Sequence, residues 1–72
     1  MHYMRHLLAQ ARFYATEDLK IAQGIGIYED VMDTLEMLAV IELAEEVLWA
    51  DNWNDDMLDI MTTIRQFVAD HS

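Results

Sequence analysis

Apolar residues recur at steps of three and four along most of this chain, and two closely spaced glycines and a run of Asp and Asn divide them into three blocks. In the first block, Met4, Leu8, Ala11, Ala15, Leu19 and Ala22 form one stripe and predict a helix over about 3–23. Gly24 is placed to cap its C-terminus. Thr16 followed by Glu17 and Asp18 is also how a helix often begins, so a kink or restart near Thr16 is compatible with the pattern.

The second block predicts a helix over about 27–49, opened by Glu29 and Asp30, whose charges suit a positive helix end. Its apolar stripe drifts. Val31, Leu35 and Leu38 share a face opposite Glu29, Asp33 and Glu36, but Val40, Ala44 and Val47 then lie on the side those acids had taken. At about 100° per residue the buried direction turns through more than a right angle, which requires different neighbours along the helix. The third block is the most regular: Met57, Ile60, Met61, Ile64, Phe67 and Val68 line one side of a helix over about 55–70.

No stretch alternates with the period of a strand. The expected fold is therefore all-α, a compact three-helix arrangement of residues 1–72 as one domain. Short connections make the first two helices an antiparallel hairpin, with the third folded across the hinge or across a dimer mate. Such a hairpin brings Arg5 and Arg12 towards Glu42, Glu45 and Glu46, and Lys20 towards Glu29 and Asp33. About 60 helical residues, with three in seven facing inward, need about 26 core positions. The chain supplies 39 apolar residues, 31 of them larger than Ala. The surplus points to an apolar partner surface or a homodimer that completes the fold.

Composition narrows the setting. There is no Cys, which excludes disulfides and thiolate zinc sites and favours a cytoplasmic, reducing environment. The longest apolar run is only MLAVI at 37–41, far below the roughly 18 residues of a membrane span. The N-terminal stretch lacks the small-residue cleavage pattern of a secretory signal. A net charge of −10 is unevenly placed. Residues 1–26 carry three cations against two acids, a sum of +1, and residues 27–72 carry Arg65 against twelve acids, a sum of −11. That field repels nucleic acid and anionic membrane and favours a protein partner with a basic surface.

The densest candidate chemistry is WADNWNDDMLD at 49–59. As a calcium loop starting at Asp51 it fails, because the third position is Trp53, the sixth is Asp56 where the turn needs Gly, and the twelfth is Thr62 where a bidentate Glu is needed. An acid–base pair needs carboxyls held in different environments, whereas Asp55, Asp56 and Asp59 fall on one solvated helix beginning. His2 and His6, one turn apart, read as surface residues rather than a metal grip. GIGIYE lacks the third glycine and the preceding strand of a dinucleotide fingerprint, and reads as a turn. No catalytic set, cofactor or metal is expected, so the protein reads as no enzyme.

Folding accounts for much of the cluster. Asn54 is placed as N-cap of the third helix, Trp53 and Leu58 have hydrophobic-staple spacing, and Trp49 falls where core burial is expected. The residues that remain as a protein-binding surface are Glu29, Asp33 and Glu36 on the second helix, with Asp51, Trp53, Asp55, Asp56 and Asp59 around the start of the third. The resulting expectation is a small acidic regulator or inhibitor that covers a basic, nucleic-acid-binding surface of a target protein. In size and charge alone it is similar to phage-encoded anti-defence proteins and antitoxins. The alternative is a structural or assembly protein that forms a helical homodimer or oligomer.

Overall fold

Gly26 makes the turn that folds the first two helices together. Its φ is 82°, in the left-handed region, and its N–H donates to the Ala22 carbonyl at 2.8 Å. This is the single-bond left-handed cap, and a side chain there would cost about 1–2 kcal/mol. The expected cap, Gly24, instead lies inside the helix, because a helix tolerates a glycine near its end while the positive φ two residues later demands one.

The computed structural model describes residues 2–50 and 54–72. Helix α1 spans His2–Ile25, α2 spans Tyr28–Trp49 and α3 spans Asp56–His71, with no strand among the described residues. The all-α, three-helix expectation holds. Helix α1 runs unbroken through Thr16, since Ala11, Ala15 and Ala22 bury one continuous face on both sides of that residue. Helix α2 starts from an extended Ile27 that offers no capping side chain, so the first-turn acids Glu29 and Asp30 provide the charge that suits its positive end.

Helices α1 and α2 pack antiparallel. Ala11, Ala15 and Ala44 are fully buried, and their small side chains let the two backbones approach closely. Leu7 and Leu8 from α1, Ile41 and Leu48 from α2, and Met57, Met61, Ile64 and Val68 from α3 complete the core. No polar side chain is buried among the described residues, so the interior is held by apolar burial of about 1.5–3 kcal/mol per large side chain.

Helix α3 does not fold across the hinge. It starts beside the open end of the hairpin and runs along it until His71 meets Asp18, with Phe67 and Asp70 beside Met37. Its 16 residues measure about 24 Å against about 36 Å for the 24 of α1, so about two turns of the hairpin next to Gly26 lie beyond its reach. The drifting stripe of α2 shows in its burial. Its buried residues are Ile41, Ala44 and Leu48, all in its second half, whereas Leu35 is 43% exposed and Val31 and Leu38 are half-buried. None of the described helices is long and apolar enough to cross a membrane.

Candidate protein-binding surface

Glu29, Asp33 and Glu36 stand exposed along one side of α2, about one turn apart, and none forms an ion pair among the described residues. Asp55, Asp56 and Asp59 are likewise exposed at the start of α3. The fold does not bring these two groups together. The α2 ridge begins beside the hinge and the α3 acids lie at the open end, so they occupy opposite ends of a molecule 38 Å long. Asp51 and Trp53 lie outside the described residues.

One sequence expectation around α3 needs correction. Asp55, not Asn54, is the N-cap, and it has helical angles (φ −64°, ψ −28°) with no side-chain capping bond. A capping oxygen reaches the first-turn N–H groups from an extended backbone, which this residue does not have. The backbone serves instead: the Asn54 and Asp55 carbonyls accept from Met57 and Leu58 N–H, each at 3.1 Å. Leu58 is 56% exposed, and its expected staple with Trp53 lies outside the described residues.

Trp49 is 61% exposed rather than in the core, and the Arg5 guanidinium lies 4.7 Å from its ring centroid. A tryptophan that ends a helix can lay its ring on the neighbouring helix while its edge stays wet, and a cation over its face adds about 0.5–1 kcal/mol at such an exposed site. The Arg12 guanidinium donates to the Glu45 carboxylate from α1 to α2. That hydrogen bond, with the nearby charges of Glu45 and Glu42, raises the Arg12 pKa further, against a smaller opposing effect of burial. Lys20 does not reach α2; it pairs with Glu17 at 3.6 Å, because a neighbour three residues away on its own helix is always within range.

The hinge-side end of α3 is fastened by His71. Its Nε2 lies 2.6 Å from Asp18 Oδ2 and its Nδ1 lies 2.8 Å from the Phe67 carbonyl oxygen. Both ring nitrogens face acceptors, so only the protonated imidazolium donates to both. The His71 pKa is raised, first by the Phe67 carbonyl and then by Asp18 and the charge of Asp70, with burial opposing. The ring stacks on Tyr14 at 5.6 Å and packs on Phe67 at 4.2 Å.

The sequence reading missed both His71–Asp18 and Arg5–Trp49. The second was within reach, because a hairpin that pairs Arg12 with Glu45 carries Arg5 to the end of α2. The first was not, since nothing in the spacing of residues 18 and 71 marks them as neighbours.

Of the thirteen described acids, only Glu17, Asp18 and Glu45 face a cation, which leaves ten outside any ion pair among the described residues. Fold and surface together define an all-α protein, a three-helix bundle with an uncompensated acidic exterior. No family model, curated protein sequence or solved structure matches the chain.

Proposed function

We propose that this protein is a small, non-catalytic acidic regulator that binds a protein partner and covers a basic, nucleic-acid-binding surface on it. The observation that carries the reading is the ridge of Glu29, Asp33 and Glu36, exposed at helical spacing and outside any ion pair among the described residues. A row of fixed carboxylates presents a basic groove with regularly spaced negative charge and steers the encounter over long range. The fold supports this economically, because an entirely apolar core leaves every described charge at the surface.

Affinity capture from the native host's lysate tests the proposal. The wild-type chain should retain a basic nucleic-acid-binding protein and release it at about 0.5 M salt, where the screening length is only about 4 Å. The variant Glu29→Gln, Asp33→Asn, Glu36→Gln should lose it while its helicity stays unchanged. Retention that ignores both the salt and the variant would defeat the electrostatic reading.

A second reading, a homodimer or assembly subunit, is favoured by large apolar side chains left exposed, among them Phe13 at 61% and Tyr28 at 76%. Sedimentation at micromolar concentration separates it, since a clean 8.4 kDa species removes self-association.

A further inference from the structure

The uncovered end of the hairpin has two unlike walls. Along α1, Leu7, Tyr14 and Ile21 recur every seven residues, as do Ala11, Asp18 and Ile25, so these residues share one side of the helix. The core buries Leu7 and Ala11, and the C-terminal turn of α3 packs on Tyr14 and Asp18 through His71. Beyond His71 the same side continues into Ile21 and Ile25, which are 60% and 63% exposed. Across from them α2 presents Asp30, Asp33 and Thr34, and with Ala22 and Asp18 these residues enclose a cleft of about 290 Å³. The α1 wall is aliphatic at Ile21, Ala22 and Ile25, with Asp18 at the end held by His71, and the α2 wall carries the carboxylates of Asp30 and Asp33 beside Thr34, with no Lys or Arg in the lining among the described residues.

We propose that this cleft is a docking groove for a short amphipathic basic helix of the partner protein, seated in line with α3. The walls decide the chemistry of the occupant. Leaving Ile21 and Ile25 in water forfeits about 25 cal/mol per Å² of apolar surface, so the occupant brings an aliphatic stripe to that side. Asp30 and Asp33 repel an acidic or second identical chain, whose own Asp30 and Asp33 would arrive with it, and attract Lys or Arg on the flank of the same helix. The uncovered length, about 12 Å, fits roughly two helical turns. The inference rests on the reading of the chain as an acidic protein-binding module and narrows the partner to a segment of stated character. Asp33 belongs to both the groove and the ridge, whereas Asp30 belongs to the groove alone and Glu29 and Glu36 to the ridge alone.

The test uses the full chain, labelled with nitrogen-15, and three synthetic helical peptides of about 12 residues. One carries a leucine stripe flanked by lysines, one keeps the lysines with glutamine in place of leucine, and one keeps the leucines with glutamate in place of lysine. Only the first should shift the amide signals of Ile21, Ile25, Asp30, Asp33 and Thr34 saturably. Ile25→Asp and Asp30→Asn should each weaken it about tenfold, and Glu29→Gln with Glu36→Gln should change it less than about twofold. Because Ile25 and Asp30 are exposed, neither substitution touches the core. Equal binding of the leucine-free peptide, shifts centred on Asp55 to Asp59, or groove signals that move with the protein's own concentration would each overturn the groove. If no peptide enters the groove while the lysate capture still yields a salt-sensitive basic protein, the groove fails and the acidic-regulator reading stands. If the peptide binds as expected and the capture yields no basic protein, the broader reading fails alone.

Discussion

His71 and Asp18, 53 positions apart in sequence, meet at 2.6 Å and join the last turn of α3 to the middle of α1. The bond makes stability depend on pH with a definite sign. The folded-state pKa of His71 is raised above its ordinary 6.5, so the folded protein holds this proton more tightly than the unfolded chain does. The stabilisation is complete below about 6.5 and is lost as pH rises through the folded-state value. Thermal unfolding should show wild type exceeding His71→Gln by more at pH about 6 than at pH about 9, where the difference shrinks. An NMR titration that places the His71 pKa at or below 6.5 would remove the basis for the prediction.

The two glycines should respond to alanine with opposite signs. Gly26→Ala forces a side chain into φ 82° and should lower stability by about 1 kcal/mol or more. Gly24→Ala meets nothing within 4 Å and removes a flexible residue from a helix, so it should raise stability by up to about 1 kcal/mol. In a domain of this size those changes correspond to melting shifts of about 4–8 °C per kcal/mol, readable by circular dichroism.

Ile41 and Ile64 are the largest fully buried side chains described. Ile64→Val should cost about 0.5–1.5 kcal/mol and Ile64→Ala about 2–5 kcal/mol. The larger loss approaches the whole stability available to a core this small, so Ile64→Ala should be partly or wholly unfolded in water. Ile21→Ala, at a 60% exposed site, should shift the urea midpoint by less than about 0.5 kcal/mol equivalent. Equal effects at the two sites would contradict the placement of α3.

Arg12 and Glu45 join the two hairpin helices, and both remain partly exposed, with side-chain accessibilities of 44% and 27%. Exposure limits what the pair contributes. A double-mutant cycle with Arg12→Met and Glu45→Gln should give a coupling below about 1 kcal/mol that shrinks as salt is added. Coupling above about 2 kcal/mol would show that the pair is far drier than its exposure indicates.

By itself the sequence determined the number and kind of the helices. The steps of three and four in Met4, Leu8, Ala11 and Ala15, and in Met57, Met61, Ile64 and Val68, are local and translate directly into buried faces. The short connection at Gly26 made the hairpin legible, and with it the approach of Arg12 to the acids of α2. Whatever depends on where a helix ends against its neighbours needed the tertiary structure. The apolar pattern of α3 says that it packs, but not that it stops beside Asp18; that stopping point leaves Ile21 and Ile25 uncovered although they continue the side of α1 that carries Leu7 and Ala11. The same holds for Trp49, which its composition places inside and the hairpin register places at an open end beneath Arg5. Periodicity fixes the direction a side chain faces, and only packing fixes whether anything lies in that direction.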